Sequence, residues 1–455
     1  MIITPKEKKE IIKIYNPKIF VAKIPFDEMK KTRKFLLISL LSSMGIFMDG
    51  YTLSIFSTAL LYLQNTFLTK AILVSLAASS IYIGMFVGSI IFGRISDSFG
   101  RRKIYIFDLS ITAIFLIFTG LSQNLFEFFL FEILVGLGIG ADYPISSSIQ
   151  AEFSPKNIRG RYLVINMLSW TVGSIVFYLI SIPIVLYGGI YAWRIMYITG
   201  AIIPILVIFS RTIIPESPYW LIKSGREQEA KEVTEEFERE AGNINISLPL
   251  VKREKTTFRE LRNYIPFLIF TSISWFSYDV ASYGVWNYTP SLFFSSLSYI
   301  YSIVATLLEE IPVVVGVLIC IIMIDRVGRK TLQAMGFGLA GISLLSFALI
   351  STKGSPPFIL LFMAFALMHV FHNIGPTNTT YLYPVEIFPT RIRATSMGIA
   401  TAASRVGAIL GVFAFPLIVS RINISEGLIF FSLFEFIGLI TTILLAPETK
   451  MKSIE

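Results

Sequence analysis

The sequence predicts an all-α membrane protein with twelve transmembrane helices in two pseudo-symmetric six-helix bundles. Three observations predict it. The 455 residues are 54% hydrophobic and only 15% charged, with a mean hydropathy of +0.70, where soluble domains sit near 45–50% and about 25%. Apolar runs of about 20 residues, enough for a hydrocarbon core of about 30 Å, recur from Phe35 to Leu445. Finally, motifs of the first half return in the second at an offset of about 230 residues.

Taken in order, the apolar runs predict spans at 35–62, 71–92, 104–121, 126–152, 162–187, 193–213, 264–293, 300–324, 331–351, 357–388, 394–419 and 427–446. They divide the chain into an N-terminal tail (1–34), a first bundle (35–213), a central polar stretch (214–262), a second bundle (263–446) and a short tail (447–455). The polar, basic residues 1–34 do not read as a signal peptide, and the first run lacks a small-residue cleavage site, so it is expected to remain as the first helix. The central stretch carries GREQEAKEVTEEFEREAG (225–242), an acidic helix with few apolar positions. It is expected to be a solvated inter-domain helix, with a docking helix as the alternative.

The net charge of +9 is a matter of topology and does not point to nucleic acid. All but six of the 39 Lys and Arg fall in the two tails, the central stretch and the links after even-numbered spans. The exceptions are Lys70, Lys353 and Arg421 in the opposite loops, and Arg194, Arg211 and Arg405 in or at the edge of spans. An excess of basic residues marks the inner side, so both termini are expected in the cytoplasm and the protein in the cytoplasmic membrane. The single cysteine, Cys320, lies in an apolar run and excludes a disulfide framework.

The repeats are specific. Asp97-x-x-Gly100-Arg101 returns as Asp325-x-x-Gly328-Arg329, and Glu152-x6-Arg159 as Glu386-x6-Arg393. Pro215-Glu216-Ser217 returns as Pro447-Glu448-Thr449, and Asp49 in span 1 matches Asp279 in span 7. Duplicated bundles place a substrate site at their interface and favour alternating access. The ionisable residues at span ends, Asp97, Arg101, Glu152, Arg159, Asp325, Arg329, Glu386 and Arg393, are expected to form gate and packing ion pairs.

Within the spans, ionisable groups are expensive and should face protein or a wet cavity. Asp142 follows a glycine series (136, 138, 140) that suits close helix packing. Trp275, Asp279 and Tyr283 share one face of their helix, as do His369, Asn373, Thr377 and Tyr381 on another, where Gly375-Pro376 should loosen the backbone. Thr401 and Arg405 share a third face. Arg405, read as the one cation deep in a span, has a planar fork suited to phosphate or carboxylate. His369-x-x-His372 has a metal-compatible spacing without a further ligand, so a cavity-lining pair is the preferred reading and no metal or cofactor is expected.

GRISDSFGRRK (93–103, with Gly93, Asp97, Gly100, Arg101 and Arg102) resembles the loop signature of the major facilitator superfamily. PESPYWLIKSGREQEA (215–230), PETK (447–450) and the two Glu-x6-Arg motifs are similar to its sugar-porter-like branch. GADYP in span 4, DVASYG in span 7 and NIGPTNTTYLYPVEIFPTRIRAT in span 10 resemble the phosphate:proton symporter family. The resemblance implies a secondary transporter with Asp142, Asp49 and Asp108 coupling protons. It also implies Tyr143, Trp275, Asp279, Tyr283, Thr377 or Asn378, and Arg405 at the substrate.

Three positions depart from that pattern. Trp170 stands where the family has glutamine, Thr52 replaces an aspartate, and Glu132 takes the place of the superfamily's span 4 arginine. With Asp49, Glu132, Asp142 and Asp279 against Arg405, the sequence implies a net-acidic cavity that an anion enters only when several are protonated. Trp170 with Trp275 and Trp286 would equally suit a sugar or aromatic acid. The expected function is proton-coupled carriage of phosphate or another small anion by a monomer, with sugars and organic acids as the alternative. A non-transporting sensor is the reading from another class; no nucleophile–base pairing suggests an enzyme.

Overall fold

Apolar runs in this chain become long helices wherever the backbone keeps its i→i−4 hydrogen bonds. The computed structural model describes residues 32–66, 70–154, 158–241, 261–289, 298–351, 358–389 and 392–450. Residues 1–31 of the expected N-terminal tail (1–34), 451–455 of the short tail (447–455) and 242–260 of the central stretch lie outside these. The first bundle comprises α1 (Arg33–Thr66), α2 (Ala71–Phe99), α3 (Arg101–Leu121), α4 (Leu125–Phe153), α5 (Arg159–Tyr187), α6 (Ala192–Gly200) and α7 (Ile202–Arg211). The short α8 (Pro218–Lys223) and the acidic α9 (Glu227–Ala241) follow. The second bundle comprises α10 (Ile265–Trp286), α11 (Tyr299–Val327), α12 (Arg329–Ser351), α13 (Phe358–Ile374), α14 (Pro376–Ile387), α15 (Arg393–Arg421) and α16 (Ile424–Leu445).

Two crossings are broken helices, each at a proline that cannot donate to the preceding turn. The sixth passes from α6 to α7 ahead of Pro204, and the tenth from α13 to α14 at Gly375-Pro376. Twelve crossings result. Among the described residues, nine are long and apolar enough to span a bilayer on length and composition alone. The remaining three, α4, α10 and α13–α14, carry the polar stripes singled out in the sequence.

Helix starts at the basic end of the bundle are built in duplicate. Gly100 and Gly328 hold φ of 100° and 107°, open to glycine and costly to other residues, and turn α2 into α3 and α11 into α12. Glu216 then accepts hydrogen bonds from the backbone N–H of Arg101 (3.0 Å) and Arg102 (3.2 Å). Glu448 does the same for Arg329 (3.1 Å) and Lys330 (3.2 Å). A carboxylate at a helix N-terminus satisfies orphan donors and complements the helix dipole. The repeated Pro-Glu-Ser/Thr motif is therefore a pair of helix caps.

The glycine series of α4 lets backbones touch: a Cβ at Gly136 would overlap the Ile81 carbonyl of α2, and one at Gly140 that of Met85. Between the bundles, α2 packs on α15 and α5 on α11. The acidic α9 is docked, which corrects the expectation of a solvated helix. Phe237 is buried against Phe153 at 5.6 Å between ring centroids, and Lys34 pairs with Glu236. Ala230 is buried with Trp220, Leu221 and Ile222 of α8, so the inner face of the helix is anchored at two places.

Candidate functional site

The three polar helices and α15 converge on a cavity of about 60 Å³ on the seam between the bundles. From the first bundle it is lined by Tyr143, Trp170 and Thr171; from the second by Trp275, Tyr278, Asp279, Tyr283, Trp286, Glu310, His369, His372, Asn373, Thr377 and Arg405. The 3.6-residue period brings Trp275, Asp279 and Tyr283 to one wall, and His369, Asn373 and Thr377 to another. The break at Gly375 falls beside them.

Arg405 is the cavity's cation. Its Nη1 lies 3.2 Å from Asp279 Oδ2, with both side chains buried. Its guanidinium carbon stands 4.8 Å from the Tyr143 ring and 5.4 Å from the Tyr283 ring. Neither Asp279 oxygen, nor Nε or Nη1 of Arg405, makes an aligned hydrogen bond among the described residues. A buried, incompletely bonded fork carries a cost that a bidentate anion would relieve. Aromatic faces close the rest: Trp170 against Trp286 at 5.2 Å, and Tyr143 edge-on to Trp275 at 6.2 Å. Thr377 donates to the Tyr278 hydroxyl at 2.9 Å.

The expected proton carboxylates lie elsewhere. Asp142 and Asp108 are outside the cavity and share Arg211, whose Nη1 donates to Asp108 at 2.9 Å while Nη2 pairs with Asp142. The guanidinium sits 3.3 Å from the Tyr105 ring centroid, and Ser146 donates to the second Asp142 oxygen at 2.9 Å. Arg211 is fully buried, so the reading of Arg405 as the one deep cation is corrected. At the end of a predicted span, Arg211 looked like a boundary residue. It supplies from α7 the positive charge that α4 lacks. Asp49 is buried beside this cluster, and Glu132 lies against Tyr197. The cavity of four carboxylates is therefore corrected in its members: Asp279 and Glu310 are the acids among its described lining residues, against Arg405. Asn378 is turned away, donating to the Asn373 carbonyl at 2.5 Å. Tyr381 stands behind Tyr143 and accepts from Asn166 at 3.0 Å. Thr401 is buried off the lining.

Three acids inside spans were passed over in the sequence: Glu309 and Glu310 on α11, and Glu435 on α16. Their signal was the same one that marked Asp142, an ionisable residue in an apolar run. Ser174 donates to Glu310 at 2.7 Å. His372 and Glu435 lie 2.8 Å apart, Nε2 to Oε1, both buried.

Seam contacts bracket the cavity. At the basic end, Arg101 donates to Glu152 at 3.0 Å and Arg393 approaches the same carboxylate across the seam at 3.6 Å. In the second bundle, Arg329 bonds Glu386 at 2.8 Å and lies 3.1 Å from Asp325. Arg159 donates to the Ser154 carbonyl at 3.0 Å, and Arg102 to that of Thr212 at 2.6 Å. Gly93 meets the α15 backbone at Ala394. The side chain of Asp97 lies outside the described residues. Towards the opposite end, Asn287 donates to Tyr82 at 2.8 Å and Ser75 to the Phe413 carbonyl at 2.9 Å.

Residues 36–455 match the family described as "Sugar (and other) transporter". The chain belongs to that family. It is a multi-pass membrane transporter of the major facilitator superfamily and not an enzyme. Among relatives, it is 29% identical to the "Putative metabolite transport protein YaaU" of Escherichia coli strain K12, over 94% of this chain and 96% of that one. It is 28% identical to the "Probable inorganic phosphate transporter 1-6" of Arabidopsis thaliana, over 91% of each. The proton:xylose symporter XylE, bound to 6-bromo-6-deoxy-D-glucose, superposes with a TM-score of 0.78 at 21% identity, over 92% of this chain and 97% of that one. That likeness shows the fold.

Proposed function

We propose that this transporter moves a small anion together with protons, that Arg405 is the anion's main contact, and that inorganic phosphate is the leading substrate. The observation that carries the reading is the Arg405 fork, buried on the seam with donors unfilled and faced by Asp279. An anion accepting from that fork competes with Asp279 for the same charge. A proton on Asp279 ends the competition, so loading of proton and anion reinforce each other. Tyr143, Trp275, Tyr283 and Thr377, at positions matching the phosphate:proton symporters, line the same cavity. The likeness to a plant protein named as a probable phosphate transporter supports phosphate. The Asp142–Arg211–Asp108 cluster would serve as a second proton-sensitive element outside the cavity.

One observation favours a second reading. The Trp170–Trp286 pair, with its indole planes tilted by 58°, gives the cavity an aromatic wall, which suits an aromatic monocarboxylate better than a hydrated dianion. The positive-inside distribution supports cytoplasmic termini and a cytoplasmic-membrane location, and the seam within one chain supports function as a monomer. Uptake of labelled phosphate, benzoate and glucose into proteoliposomes tests the proposal. Phosphate uptake stimulated by an inward proton gradient supports the leading reading, and benzoate uptake alone the second. Gradient-independent flux of glucose would overturn both. Binding of a solute with no flux would point to a sensor.

A further inference from the structure

We propose that His372 and Glu435 form a proton-binding site of the second bundle that adjusts the charge of the cavity. The inference rests on the proton-coupled anion reading above. His372 lines the cavity, and its Nε2 lies 2.8 Å from Oε1 of Glu435 on α16, behind the cavity wall. Both side chains are at most 1% exposed, and the second Glu435 oxygen has no hydrogen-bond partner among the described residues. A buried carboxylate with one oxygen bonded to an imidazole and the other bare is poorly compensated when only the imidazole's neutral N–H faces it. One added proton cures this, because it makes the pair neutral as either imidazolium–carboxylate or imidazole–carboxylic acid.

The surroundings contain little to override that proton. On α13 itself, His369 lies one turn away on the cavity wall. From α10, the Tyr278 ring stands edge-on to His372 at 5.3 Å. From α12, Gly341 meets Glu435 without a charge. Asp279, Glu310 and Arg405 share the cavity with His372. Without the proton, this half of the site holds Asp279, Glu310 and Glu435 against Arg405. With it, one negative charge is cancelled beside the space the anion must occupy. The proton comes from water on the loading side and returns to water on the release side; no other group is consumed.

Two measurements on the full chain test the proposal, one of them independent of any substrate. The chain has only two histidines, so ring-labelled protein gives two sets of imidazole resonances, assigned with His369→Gln. The expected result is a His372 signal that responds to pH, with a response that changes in Glu435→Gln. A His372 ring that does not respond to pH in the wild type overturns the proposal without need of a variant. In proteoliposomes, Glu435→Gln is expected to keep exchange of labelled phosphate or benzoate, whichever the wild type carries, but to lose gradient stimulation and the pH dependence of half-saturation. His372→Gln, at a residue that lines the cavity, is expected to lose the gradient stimulation and the pH dependence whatever its effect on exchange. Wild-type stimulation and pH profile in both variants would overturn the site. A wild type with no gradient-stimulated uptake would overturn the proton-coupled reading instead.

Discussion

At the scale of the residue, two arginines divide the work of the buried charges. Arg405 faces the cavity with Nε and Nη1 unbonded, whereas both terminal nitrogens of Arg211 are engaged, by Asp108, Asp142 and the Tyr105 carbonyl, with Nε left unbonded among the described residues. They should fail differently. Arg405→Lys keeps the charge but loses the fork, and half-saturation for the proposed anion should rise about tenfold or more, equivalent to about 1.4 kcal/mol. The protein's melting temperature should change little. Arg211→Met leaves two carboxylates buried without their cation, a change that costs about 3–5 kcal/mol where a buried pair is broken. A lowered melting temperature in detergent is the expected outcome, and an unchanged one would show that the pair carries no structural weight.

At the scale of the element, the caps and the close-packed seam make separate predictions. Glu448→Ala removes the acceptor for two N–H groups at the start of α12 and should cost about 1–2 kcal/mol in thermal unfolding. Gly398 of α15 lies against the Ser89 carbonyl of α2, with Gly93 opposite. A valine there cannot be accommodated while the seam is closed, so Gly398→Val should favour opening of the basic end. Faster labelling of a cysteine placed at Ser89 would report it, and an unchanged rate would contradict it. These elements also show what the sequence made legible. The twelve crossings, the break at Gly375-Pro376, the duplicated motifs and the stripes of α10 and α13 follow from apolar length and helical period, which are local properties. The partner of Asp142 was not legible. Arg211 is 69 residues away, and nothing local separates an arginine that turns inward from one that reaches for the membrane surface. Glu310 and Glu435 bore the same mark as Asp142, but no motif surrounded them. Phe237 looked like an isolated apolar residue because its partner Phe153 belongs to another helix.

At the scale of the whole molecule, the cavity lies between two sets of inter-bundle contacts, Glu152–Arg393 and Asn166–Tyr381 towards the basic end, Tyr82–Asn287 and Ser75–Phe413 towards the other. Rocking of the bundles requires each set to break in turn while the central site persists, and two sets of this kind give the two-state element that coupling needs. The central claim is that anion and proton meet at the Arg405–Asp279 pair on this seam. It is tested most directly by the accumulation of labelled phosphate in proteoliposomes under an inward proton gradient, comparing the wild type with Asp279→Asn. The account predicts accumulation in the wild type that collapses with a protonophore, and none in Asp279→Asn. Accumulation of the same size in both proteins would contradict it.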